Sequence, residues 1–320
     1  MKFTPPVFKG LREMSYIDVA RLTEDEARKI LEDIRWAGKV KCIHCGSENV
    51  SRVTSKSKST RDGLILCNAC RKQFTVTVGT IMEGSHITLR QWIQAFTLMC
   101  TSKKGISALQ LQRQLGLHTY RAALHLTHRI RLAMKQKVVA NMLKGIVEVD
   151  ETYVGGKPRK GSGEKNKRGR GTDKTPVITM VERNGNSVSF PIEKVDKKTL
   201  RGAINGSVDK RSTIMTDEWK GYNGVGVNFN GGHLSVNHSA GEYSNGDIST
   251  NTAESYFALL KRGVIGTFHH ISKKHLHRYC DEFSFRWNNK EVTDGVRTEN
   301  AVRGIFDKHL SYKSLTGGKC

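Results

Sequence analysis

The residues of this chain whose types and spacing could do chemistry are three acids and four cysteines. Asp150 closes an alternating apolar run in VEVDETYVGGKPRK, residues 147–160, just before glycine, proline and cations take over. Asp217 ends a similar run in TIMTDEWKGY, and Glu254 stands in the first turn of a helical pattern, NTAESYFALLKRG, that Asn251 can cap. Carboxylates arriving from two strand ends and one helix could converge on two divalent hard cations. Such a pair serves phosphodiester hydrolysis: one ion activates the attacking water or hydroxyl, the other stabilises the leaving oxygen, and carboxylates hold both against mutual repulsion. Glu151 and Glu218 follow the two aspartates, and alternation sends them to the opposite strand faces, where they act as supporting residues.

The cysteines form two pairs, Cys42-x-x-Cys45 and Cys67-x-x-Cys70, separated by 21 residues. Each pair places two thiolates on one knuckle, and two knuckles make the tetrahedral sulfur cage of one structural zinc. The linking segment contains SKSKSTRDG, a loop composition that absorbs the long gap. His44, inside the first knuckle, reads as an exposed turn residue, while Cys100, Cys280 and Cys320 lack partners at ligand spacing and read as core or tail.

These residues need scaffolds, and 320 residues with 37% hydrophobic content suffice for two or three domains with buried cores. The 53 Lys and Arg outweigh 30 Asp and Glu, for a net charge of +23. That imbalance predicts a polyanionic partner, leaving DNA, RNA and an anionic membrane open on charge alone. No stretch reaches the roughly 18 apolar residues of a membrane span, and the first residues carry no apolar signal core. The expectation is therefore a cytoplasmic protein with no disulfide framework and no membrane partner.

Along the chain, residues 1–38 read as a helical segment, with Thr23 capping TEDEARKILEDIRW. Residues 39–80 read as the zinc ribbon, closed by a strand in KQFTVTVGT. Residues 81–144 read as helices with a helix-turn-helix outline, in which Gly116 separates two helices and Thr119 caps the second. One side of that second helix carries Arg121, His125, His128, Arg129 and Arg131, of which Arg121 and Arg129 are taken as DNA contacts; a packing helix with a solvated basic face is the alternative. From 145 to 290 the texture turns to short strands, IVEVDETYV, PVITMVE, SVSFPIEKV, STIMTDEW and LSVNHS, with KKTLRGAIN helical between the third and fourth, which predicts a mixed α/β sheet. Residues 291–320 read as a C-terminal helix and tail. The segment 155–174 holds eight Lys or Arg against two acids, so Lys165, Lys167, Arg168 and Arg170 could track a phosphate backbone or simply be solvated. Lys261, seven residues after Glu254 on the same helix strip, and Arg262 beside it could also meet phosphates or form a solvated basic helix end.

VDETYVGGK, TDEWKGY, VNHSAGEYSNG and NTAESYFALLKRGVIGTFHHISKKHLHRYCDEFSFRWNN, together with the ribbon, resemble the bacterial insertion-sequence DDE transposases with an ISXO-like catalytic domain. The likeness runs from the first ribbon cysteine to about Lys290. It implies a ribonuclease H-like catalytic fold in which Asp150, Asp217 and Glu254 match the three acids, bind two magnesium (or manganese) ions, and cut and join transposon ends. It further implies double-stranded DNA partners, namely terminal inverted repeats and target DNA, a homo-oligomer in the synaptic complex, and association with the bacterial nucleoid. Ser249 stands where a histidine is expected. A catalytically inactive, transposase-derived zinc-ribbon DNA-binding protein is the alternative, and a host nuclease a third reading. Retention of all three acids favours the enzyme over the first, and a ribbon plus helix-turn-helix favours site-specific docking over the second.

Overall fold

The computed structural model describes residues 10–53, 62–136, 142–156, 172–236 and 249–317. They divide into two compact units, Met1–Met134 with Val292–Cys320, and Lys135–Glu291.

In the first unit α1 (Tyr16–Ala20) leads into α2 (Glu24–Trp36), which starts at a capping box between Thr23 and Glu26 and buries Ala27, Ile30 and Leu31. The ribbon follows as an antiparallel sheet of β1 (Val50–Arg52), β2 (Ile65–Cys67) and β3 (Gln73–Phe74) in that order. The strand expected to run on toward residue 80 stops at Phe74. Arg35 of α2 takes the carbonyls of Val76 and Val78 at 2.6 and 2.7 Å, and the Thr80 hydroxyl bonds back to the Thr77 carbonyl at 2.6 Å, so side chains occupy groups a ladder would need. Next come α3 (Leu89–Thr101), α4 (Ala108–Leu115) and α5 (Tyr120–Met134), with Trp92, Phe96 and Ile130 fully buried. Gly116 ends α4 in the left-handed region at φ 63°, which permits the tight turn, and the Thr119 hydroxyl accepts from Ala122 N at the start of α5. The C-terminal segment belongs to this unit: α9 (Asp294–Arg303) packs on α3, and α10 (Tyr312–Thr316) follows. Arg12 and Arg303 both pair with Glu299, at 2.7 and 2.8 Å.

The second unit is a five-stranded mixed sheet in the order β6–β5–β4–β7–β8. β4 (Ile146–Val154), β5 (Thr175–Glu182) and β6 (Ser187–Pro191) form an antiparallel meander. From β6 the chain crosses through α6 (Lys197–Ser207) to β7 (Thr213–Asp217), which lies parallel to β4, with β8 (His233–Val236) parallel beyond it. Alternation along β4 divides the core. Val147 and Val149 join Leu200 and Ile204 of α6 with Tyr222, whereas Val154 and, on β5, Val177 and Val181 join α7 (Asn251–Gly263) and α8 (Leu276–Asn288). A mixed sheet in this strand order, with helices on both faces, is a ribonuclease H-like α/β domain.

Candidate active site

Asp150 lies on β4 opposite Thr179 of β5. On the other side, β4 and β7 pair in parallel through Val147 with Ile214 and Glu148 with Met215. Continuing that register by two residues sets Asp150 level with Asp217, on neighbouring strands and on one face of the sheet. Neighbouring strands are about 4.8 Å apart. Glu254, in the first turn of α7, comes over this same face. Burial is the main cause that pushes the Asp150 carboxyl up to about 7, with the charges of Glu151, Asp217 and Glu254 adding to it against the Glu151 N–H that stabilises the anion. Asp150 therefore lies within electrostatic reach of the other two acids. Thr179 is fully buried and its Oγ1 has no hydrogen-bond partner, which leaves an unsatisfied polar atom across from Asp150. Carboxylate oxygen donors on one face of the sheet, with that unsatisfied hydroxyl beside them, suit hard divalent cations such as magnesium or manganese.

Glu151 points the other way, as alternation requires, and accepts a hydrogen bond from the Tyr222 hydroxyl in the opposite core; Glu218 is exposed. The helix bearing Glu254 is not capped by Asn251, which is its first helical residue; Thr250 precedes it and makes no side-chain cap bond. The cap comes from Glu148 on β4, whose carboxylate accepts from Thr252 N at 2.7 Å and Ala253 N at 3.1 Å. Sequence reading passed over Glu148. Its one available signal is the spacing: an acid in an apolar strand two residues before Asp150, hence on the same face.

In the ribbon, Cys42, Cys45, Cys67 and Cys70 bring their sulfurs within 4.8 Å of one another. Cys42 to Cys70 is 3.7 Å and Cys45 to Cys67 is 3.6 Å, against roughly 3.8 Å between sulfurs on a tetrahedral zinc. Burial pushes the Cys42 thiol up, but N–H groups of His44 and Cys45 outweigh it and draw the thiol down to about 7. Cys45 accepts from the Ser47 N–H, yet desolvation and the three neighbouring sulfurs push it up to about 12. This is a zinc-ribbon site. Cys100 and Cys280 are buried core residues, as expected, and Cys320 lies outside the described residues.

Residues 142–288 match the family model of the ISXO2-like transposase domain, and residues 22–73 match that of the transposase zinc-ribbon domain. The chain thus carries two segments that match transposase families, a zinc ribbon and, after it, an ISXO2-like transposase domain. An uncharacterized protein in transposable element ISH50 of Halobacterium salinarum is 29% identical over 278 residues, which cover 83% of this chain and 91% of that protein.

The cationic residues of the transposase fall into three groups. Lys165, Lys167, Arg168 and Arg170 lie outside the described residues. Lys261 and Arg262 are exposed in the last turn of α7, with the Lys261 ammonium 5.9 Å from the Phe257 ring centre. On α5 the expectation needs correction: Arg129 is only 7% exposed and donates to the carbonyls of Leu310 and Glu83 at 3.1 and 3.3 Å, so the fold uses its charge internally. His128 and Arg131 are buried too, each 1% exposed. What α5 presents to solvent is its beginning, where His118, Thr119, Tyr120 and Arg121 are exposed. Recognition helices contact bases with such N-terminal residues. No helix among the described residues is long and apolar enough to cross a membrane.

Proposed function

We propose that this transposase binds the terminal inverted repeats of its element, hydrolyses a phosphodiester to free a 3′ hydroxyl, and directs that hydroxyl at a phosphodiester of target DNA, joining the element end to the target as the target's own 3′ oxygen leaves, with Asp150, Asp217 and Glu254 as the catalytic acids. The observation that carries the proposal is the placement of Asp150 beside Asp217 on parallel strands under the first turn of α7, with Asp150 lifted to about 7 by burial and by its acidic neighbours. Two magnesium ions held there would polarise the phosphate, activate the incoming hydroxyl and neutralise the leaving oxygen. Asp150 and Asp217, rooted in adjacent strands, would supply the oxygen donors for the cations that a phosphate approaches. Glu254 closes the third side from the helix. Tyr222 holds Glu151 away from that face. Lys261 and Arg262, on the same helix as Glu254, hold the DNA backbone alongside; Arg121 docks at the element end, and Lys165, Lys167, Arg168 and Arg170 add sequence-independent attraction. Several copies assemble on paired DNA ends.

A cleavage assay on labelled terminal-repeat DNA tests this reading. Magnesium or manganese supports cutting, while calcium, with longer and looser coordination, supports binding alone. Asp217→Asn binds the ends and does not cut them, whereas Glu218→Gln keeps substantial activity. Robust cutting by Asp217→Asn, or by the wild type in chelator, overturns the assignment.

A further inference from the structure

We propose that Glu148 is the positioning residue of this site, anchoring the first turn of α7 to β4 and thereby setting Glu254 against Asp150 and Asp217. The inference rests on those three acids being the cation-holding set.

Glu148 is fully buried, and every accepting position of its carboxylate is taken. One oxygen accepts from Arg183 Nε at 2.8 Å and from the Thr252 hydroxyl at 3.0 Å; the other accepts from Thr252 N at 2.7 Å and Ala253 N at 3.1 Å. A carboxylate so saturated has no lone pair left for a cation, which separates its role from that of Asp150 two residues on. A helix N-terminus is usually capped by its own preceding side chain, which moves with the helix. Here the cap belongs to the strand, so α7 can neither slide nor turn without breaking bonds to β4. Glu254 follows Thr252 by two residues, about 3 Å of helix rise, so the tie acts within a single turn of the ligand it would place.

Arg183 makes the buried charge tolerable, since an unpaired carboxylate at this depth would be strongly destabilising. Its Nη2 reaches further, to the carbonyl and hydroxyl of Ser249 at 3.3 and 3.0 Å. The guanidinium thus fixes both the helix cap and the chain entering the helix, and Ser249 serves where a histidine is expected. A lysine could supply the charge but not both contacts.

The test is manganese binding to the full-length, zinc-loaded protein without DNA, followed by electron paramagnetic resonance of the free ion. The wild type binds manganese at this site, and D217N abolishes it. E148Q keeps its fold but binds manganese about 10–100-fold more weakly, the usual consequence of removing a group that orients ligands. R183K falls between the two and carries the test if E148Q does not fold. E282Q is the comparator: it breaks another buried ion pair, Glu282 with Arg286 at 2.6 Å in α8, and leaves manganese affinity unchanged although it costs stability. Wild-type affinity in folded E148Q, or in R183K if that variant carries the test, overturns the positioning role. Equal weakening in E282Q also overturns it by making the effect one of general stability. A wild-type site insensitive to D217N would instead overturn the reading of the three acids, and this inference with it.

Discussion

The ribbon cage and the carboxylate face are built on opposite plans. The four sulfurs already lie within 4.8 Å of one another, and among the described residues they are the one group of three or more such ligands to do so. Two short knuckles deliver them, and backbone N–H groups from His44 and Cys70 point at Cys42 and Cys67 from within the same turns. The carboxylates come from β4, β7 and α7, repel one another when ionised, and depend on a remote tie through Glu148 and Arg183. Local sequence assembles the sulfur cage, whereas tertiary structure must bring the carboxylates to one face.

The largest effect that would sharpen this contrast belongs to the cage. Cys67→Ser should release zinc and unfold the ribbon, because the binding free energy of such a site, about 10–16 kcal/mol, is also its folding free energy. Metal analysis and circular dichroism check this, and a folded ribbon without zinc would count against it. On the carboxylate face, Asp150→Asn should leave the sheet folded while cleavage falls about a thousandfold or more, roughly 4 kcal/mol in barrier. Removing one charge from a repelling cluster does not unfold it. A melting temperature close to that of the wild type, beside lost cleavage, is the expected pairing.

A second contrast sets the acid held low against the acid held high. Hydrogen bonds from Arg12 hold Glu299 down at about 2 against the ordinary 4.5, with help from Arg303. A depressed carboxyl stabilises the fold above its unfolded value and loses that contribution as pH falls. The first unit should therefore weaken between about pH 4.5 and 2, by on the order of 2 kcal/mol once the half-exposed arginines are discounted for solvent screening. Glu299→Gln should flatten that stretch of the stability profile in acid denaturation. The smallest effect concerns DNA affinity. Lys261→Ala and Arg121→Ala should each lower the slope of log affinity against log salt by about 0.9, the release of one phosphate's counterions. Arg129→Ala should change stability instead, since its guanidinium serves internal carbonyls.

Much of this architecture was legible because its signals are local. The Thr23 and Thr119 caps, the break at Gly116, the paired cysteines and the five strand patterns all express backbone preferences within a few residues. The misses share a different cause. β3 ends early because Arg35, far back in the chain, claims the carbonyls of Val76 and Val78. Helical periodicity separated the apolar side of α5 from its cations but could not show that the C-terminal segment supplies carbonyls such as that of Leu310 to bury Arg129. Asn251 gave way to Glu148 as the cap of α7 because a strand carboxylate reached the helix end first in space, though not in sequence. Asp217 does end its strand, but Asp150, expected at a strand end, lies midway along β4, which continues to Val154 paired with β5; the shared level of the two acids depends on the β4–β7 register, which the intervening meander and α6 set.

The central claim is that Asp150, Asp217 and Glu254 jointly hold divalent cations. Anomalous diffraction at the manganese absorption edge, from crystals grown with manganese, tests it most directly. The expected result is peaks bonded to oxygens of all three carboxylates, none on Glu148, and their loss in Asp217→Asn crystals. Manganese bound elsewhere with this face empty, or peaks unchanged in Asp217→Asn, would contradict it.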